Sequence, residues 1–172
     1  MQLVIPRETQ PGEYRVSATP ETVKKLVRIG AEVDIETGSG TGAGISDADY
    51  EAAGASIDSD RSAMLGSADM VLRLRKPEIE EISQLKGGCI HVSYLDPFNE
   101  KELIKAFASH NVTAVSMEMI PRSTRSQKMD ALSSQANLAG YMAVMLAANN
   151  MPSIMPMMMT PAGTLKPAKV FI

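Results

Sequence analysis

Along the first two thirds of the chain, short apolar runs alternate with segments whose apolar residues recur at helical spacing. QLVIP is the first such run and reads as a strand. In TPETVKKLVRIG, Val23, Leu26, Val27 and Gly30 fall on one helical face. Thr19 stands where an N-cap belongs, Pro20 takes the first helical position, and Gly30 marks the C-terminal stop. AEVDIETG reads as a second strand. Ser46-x-x-Asp49 then opens a helix with capping-box spacing, because a hydroxyl at the cap and a carboxylate three residues on satisfy two otherwise free N–H groups. DMVLRLRKP reads as a third strand, PEIEEISQLKGG as a helix and GCIHVSYL as a fourth strand. NEKELIKAFASHN reads as a helix and VTAVSMEMI as a fifth strand.

Strands alternating with helices predict an α/β fold: a parallel sheet with helices on both faces, of the Rossmann or flavodoxin-like kind, with right-handed crossovers. After Asp130 the pattern becomes one long helix of small residues, almost without charge. MPSIMPMMMTPAGTLKPAK, rich in Pro and Met, follows it, and KVFI then reads as the opening of another buried strand. The expected division is an N-terminal α/β domain over 1–130 and a long connecting helix over 131–150. A linker and the first strand of a second α/β unit take 151–172, with the continuation beyond Ile172 or on another chain. The Met run at 157–159 reads as core or interface filler. GSGTGAG, Gly38 to Gly44, follows a strand and precedes a helix. Counted from Gly38, Gly40 or Gly42, however, the sixth residue is Ala43, Ile45 or Asp47, so G-x-G-x-x-G is not met and the run reads as a flexible turn.

Composition narrows the function classes. The 172 residues are 44% apolar and 22% charged, as in an ordinary globular protein. A net charge of −3 without a basic stripe gives no case for nucleic acid, and the absence of Trp leaves few stacking platforms. The N-terminus lacks a basic segment followed by a long apolar one, and no window reaches a membrane span, so a cytoplasmic or cytoplasm-facing chain is expected. One cysteine, Cys89, allows no disulfide framework and reads as a buried inert thiol. His91 lies two residues on, on the same side of the strand. One cysteine and two histidines argue against a structural zinc site.

Three places concentrate polar chemistry. After the first strand come Arg7, Glu8, Glu13 and Arg15, of which Arg15 can clamp a carboxylate or phosphate with two hydrogen bonds. In RLRKP, Arg73 and Arg75 share a strand face and need a partner or an open cleft. The third place is RSTRSQKMDALSSQANLAGY, Arg122 to Tyr141, where a loop dense in hydroxyls, amides and cations runs into the long helix. Asp130 or Ser133 can cap that helix. A helix N-terminus beside an acid and several cations can also grip a ligand bearing amide, hydroxyl and phosphate groups.

The blocks IPRE, EYRVSATPETVKKLVRIGAEVDIETG, DADYEAAGA, PRSTRSQKMDALSSQANLAGYMAV and TPAGTLKPAKV resemble the N-terminal portion of the alpha subunits of the proton-translocating NAD(P) transhydrogenase family. That family shares ancestry with alanine dehydrogenase. The likeness implies that Asp130, Ser133 and the backbone near Ala131 hold the carboxamide and ribose of NAD(H). It has Arg122 order the loop, and Gln127 reach toward a partner domain carrying NADP(H). Hydride then passes directly between two nicotinamides, without a catalytic acid or base. The likeness further implies a homodimer, membrane-spanning partner components, and a place peripheral to the inner membrane through them. It disfavours alanine dehydrogenase chemistry. Arg15 matches a substrate-binding arginine of that enzyme, but Arg75 stands at its lysine and Asp96 at its histidine, and neither exchange preserves the chemistry. The family's glycine-rich NAD fingerprint would follow KVFI, so the chain by itself is expected to hold NAD(H) weakly or not at all. A non-catalytic, partner-binding α/β module is the reading from another class.

Overall fold

The computed structural model describes residues 1–171 and divides into two compact units, Met1–Pro121 and Arg122–Ile172. The first unit runs β1 (Gln2–Ile5), α1 (Pro20–Arg28), β2 (Glu32–Glu36), α2 (Asp47–Ala52), β3 (Ser56–Asp58), α3 (Arg61–Ser67), β4 (Met70–Leu72), α4 (Ile79–Ile82), β5 (Ile90–Ser93), α5 (Lys101–Ser109) and β6 (Thr113–Ser116). The six strands form one sheet in the order β3-β2-β1-β4-β5-β6, and every pairing is parallel. The order reverses between β1 and β4, the crevice where open sheets of this kind take ligands beyond their strand ends.

Both faces are covered, as the pattern predicts, and β1 shows why. Leu3 and Ile5 join a core with Val23 of α1 and Tyr50 of α2, while Val4 points the other way, into a core with Leu65 of α3, Ile82 of α4 and Phe107 of α5. Period-two alternation thus feeds both layers from a single strand. The caps form as their residue types dictate. The Thr19 hydroxyl accepts from the Thr22 N–H with Pro20 at the helix start, and Gly30 takes φ +91° just past α1. Ser46 and Asp49 close the full capping box of α2.

Several expectations shift. Ser56–Asp58 is a strand and Arg61–Ser67 a helix, neither of which the pattern predicts, so the strand in VTAVSMEMI becomes the sixth. At three residues, β3 is too short for alternation to show. The third expected strand shrinks to Met70–Leu72, and PEIEEISQLKGG yields a single turn of helix, Ile79–Ile82, after which the chain passes into turns over Glu81–Leu85.

In the second unit, α6 (Ala131–Asn150) is the long uncharged helix. The Met/Pro-rich stretch, expected as linker, contains the antiparallel hairpin β7 (Met158–Thr160) and β8 (Gly163–Leu165). KVFI does not form a strand over its described residues. Positions 169–171 lie outside regular structure and Phe171 is fully exposed, because no strand among the described residues pairs with them; Ile172 lies outside the described residues.

Candidate functional site

At the carboxyl edge of the sheet, carboxylates and guanidiniums are paired off. Glu13, whose side chain is 3% exposed, accepts from Arg15 Nε at 2.7 Å and Nη2 at 2.6 Å and from Arg75 Nε at 2.8 Å. Hydrogen bonds from Arg15 lead in pulling its pKa down to about 2. The Glu8 carboxylate crosses the β1/β4 switch point to accept the N–H groups of Leu74 and Arg75. Arg73 is buried and pairs with Glu81, which also pairs with Arg61, which in turn reaches Glu36. Burial works to raise the Glu81 carboxyl, but the two arginines overcome it and hold the group below the usual range. Arg73 and Arg75 therefore find different partners. Just past β4 the chain leaves the strand, and Arg73 turns inward while Arg75 stays exposed. Beside them, Gln10, Arg75, Lys76, Tyr94, Asp96 and Glu118 line a hollow of about 290 Å³.

The loop ahead of α6 is built around one cap. Asp130 precedes the helix, and one of its oxygens accepts the Ser133 N–H at 2.9 Å while the other accepts the Ser133 hydroxyl at 2.6 Å. These bonds, with a smaller contribution from the Arg122 charge, hold the Asp130 carboxyl below its ordinary range, so it is anionic at neutral pH. Upstream, the Ser126 N–H donates to the Ser123 carbonyl and hydroxyl, and a 3-10 turn over Gln127–Met129 leads into the cap. Arg122, Ser123, Thr124, Gln127, Asp130 and Ser133 line a single open concavity of about 440 Å³.

Four of the five residues that the sequence points to thus share one surface. Ala131, the fifth, is half-buried at the helix start and does not line it. Ser123 and Thr124 line it as well, and only their place in a hydroxyl-rich loop marks them in the sequence. Elsewhere, Cys89 is buried and its thiol is pushed up by burial, as an inert thiol should be. His91 faces the ring of Phe107 at 5.0 Å and makes no hydrogen bond to Cys89. No group of three or more His, Cys, Asp or Glu among the described residues is placed to hold a metal. Nor is any described helix long and apolar enough to cross a membrane.

The parallel sheet with its switch point, the capped loop and the long helix together define a family. The chain belongs to the alanine dehydrogenase/PNT N-terminal domain family, whose model matches residues 4–139. Among individual proteins, it is 42% identical over 177 residues to a NAD(P) transhydrogenase subunit alpha chain of Rhodospirillum rubrum, covering 100% of this chain and 46% of that protein. The crystal structure of transhydrogenase from Sinorhizobium meliloti superposes with a TM-score of 0.91 at 43% identity, over 98% of this chain and 50% of that one. The alanine dehydrogenase of Halomonas elongata is a more distant relative, 32% identical over 151 residues, covering 88% of this chain and 40% of that enzyme. The chain spans about half the length, or less, of the relatives it matches.

Proposed function

We propose that the loop from Arg122 to Ser133 positions the dihydronicotinamide end of NAD(H). In this reading the chain serves in the NAD(H)-binding component of a transhydrogenase, with NADP(H) carried by a partner domain. The observation that carries it is the concavity of about 440 Å³ that gathers Arg122, Gln127, Asp130 and Ser133, a volume within the roughly 300–1,000 Å³ of small-ligand sites. Its chemistry suits an amide bearing a ribose. The Asp130 carboxylate spends one acceptor position per oxygen on Ser133 and keeps others for an N–H or hydroxyl. The exposed Arg122 guanidinium and Gln127 amide supply donors on the same wall. When bound, NAD(H) supplies the hydride chemistry itself, and the task left to this chain is orientation. Likeness to the Rhodospirillum rubrum subunit supports the same reading.

The NADP(H)-bearing and membrane-spanning components are the partners this reading requires. The chain then works on the cytoplasmic side, peripheral to the inner membrane through them, and as a homodimer. Amino-acid dehydrogenation finds less support, since Arg75 is engaged by Glu13 and Asp96 offers no imidazole.

The test is hydride transfer by the assembled complex carrying Gln127→Asn or Asp130→Asn. Asparagine caps a helix about as well as aspartate, so Asp130→Asn removes the charge and spares the fold. We expect a loss of about tenfold or more in turnover for Asp130→Asn. Transfer indifferent to both substitutions removes the role assigned to the loop.

A further inference from the structure

Near the carboxyl edge of the sheet, a row of buried polar groups crosses three strands. Ser93 pairs with Ser116 across β5 and β6, and the Arg73 N–H donates to the Val92 carbonyl, so residues 73, 93 and 116 follow one another across the sheet. The pleat puts Ser93 on the same face as His91, which packs against Phe107 of α5, and Arg73 pairs with Glu81 of α4 in the same layer. Arg73 is 5% exposed and Ser93 is fully buried. Arg73 Nε, both serine hydroxyls and Glu118 Oε2 are closed off from the surface and bond to nothing among the described residues. A buried polar group without a partner weakens folding by about tenfold or more. Four such groups at one end of one sheet call for a shared partner.

The spacing selects that partner. Adjacent strands lie ~4.8 Å apart, too far for hydroxyls on paired residues to bond directly at ~2.8 Å. One water bonded to both at that length, with a tetrahedral angle between its bonds, spans ~4.6 Å. The ends of the row point the same way. The Arg73 Nε–H only donates, the Glu118 carboxylate only accepts, and each serine does both. Water serves all of them. An anion would face the Glu118 carboxylate, and would find the Arg73 charge already met by Glu81. A cation would face the Arg73 guanidinium. Small buried spaces lined by polar groups hold water, whereas apolar ones stay dry.

We propose that a chain of buried waters crosses β4, β5 and β6, one water bridging Ser93 Oγ and Ser116 Oγ and its neighbours reaching Arg73 Nε and Glu118 Oε2. The chain steadies the wall of the 290 Å³ hollow from behind. Glu118 uses its other oxygen to accept the Asp96 N–H, and Asp96 sits on that wall at φ +51°. The proposal rests on the unit Met1–Pro121 alone and does not depend on nucleotide binding, so the two readings fail separately.

Urea unfolding of this chain carrying Ser93→Ala, Ser116→Ala or both closes a thermodynamic cycle. Each single variant should lower the folding equilibrium constant about fivefold, and the double variant should lose little more, because either loss releases the same water. Amide exchange at Asp96 should quicken about fivefold in both single variants. A high-resolution crystal structure should show a water within hydrogen-bond distance of both hydroxyls. Effects that multiply, a single variant more stable than the wild type, or exchange at Asp96 that does not change overturns the proposal. So do hydroxyls bonded directly to each other or to backbone, and so does an anomalous bromide peak between them in crystals grown with bromide.

Discussion

His91 is 1% exposed, neither of its ring nitrogens has a hydrogen-bond partner among the described residues, and its ring lies against Phe107. Burial first, and the nearby Arg73 charge second, push its pKa from 6.5 down to about 3. The folded protein therefore keeps this imidazole neutral, while the unfolded chain takes up a proton near pH 6.5. The unfolded state binds more protons, so stability falls as the pH falls. The contribution is complete above pH 6.5 and drains away down to about pH 3. Between about pH 8 and pH 5 this one group should remove about 2 kcal/mol, at 1.36 kcal/mol per unit once below the unfolded pKa. Staying at or above about pH 5 keeps the experiment clear of the depressed carboxylates Glu13 and Glu81, whose stabilisation is lost only as the pH falls below about 4.5. The assay is urea unfolding of the wild type and of His91→Leu, an apolar replacement of similar bulk that does not titrate. With a slope of roughly 2 kcal/mol per molar urea, the wild-type midpoint should fall about 1 M further than that of the variant over this range. Parallel falls in the two midpoints would falsify the reasoning. So would an imidazole NMR signal from His91 titrating near pH 6.5 in the folded protein. With two histidines in the chain, the assignment needs only one variant.

Substitutions at four further positions test the packing, the ion pairs and the backbone. A Cβ at Gly40 would stand 2.5 Å from the Ile45 carbonyl oxygen and 2.9 Å from the Tyr50 ring, so Gly40→Ala should cost about 1–3 kcal/mol in urea unfolding. Glu81→Leu strands the buried Arg73, while Arg61 keeps Glu36, and should cost about 3–5 kcal/mol, whereas Lys105→Ala, which breaks an exposed pair with Glu102, should cost under about 1 kcal/mol. Asn111 sits at φ +54°, and Asn111→Gly should leave thermal stability unchanged or raise it by up to about 1 kcal/mol, while Asn111→Val should lower it clearly.

Legibility in the sequence follows the length of each element and the directness of its chemistry. The Thr19 and Ser46 caps act over three residues, and both are readable as spacing. The two-faced sheet is readable from the apolar runs, because β1 and β2 each supply side chains to a core. By contrast, Ser56–Asp58 and Met158–Thr160 are three residues each, too short to show a period. The hairpin of β7 and β8 turns on Pro161 and Ala162, without the Asn-Gly or Gly-Gly signal that marks tight turns. At the candidate site, the residue types of the loop over 122–133 are visible, and so is the capping role of Asp130. What spacing does not show is that Ser123 and Thr124 fold back to share a wall with Gln127, since that depends on the turn at Ser126. Nor does it show that Glu13 binds both Arg15 and Arg75, because residues 13 and 75 meet only through the β1/β4 pairing.

The glycine run at 38–44 resembles a nucleotide fingerprint and acts as clearance. Gly42 lies against the backbone and ring of Tyr14, where an added Cβ would sit 3.2 Å from the Tyr14 Cα. Positions 14 and 42 are therefore coupled by packing, although 28 residues separate them in sequence. A side chain at 42 asks the main chain at residue 14 to give by a few tenths of an ångström, and trimming the tyrosine ring alone does not supply that room.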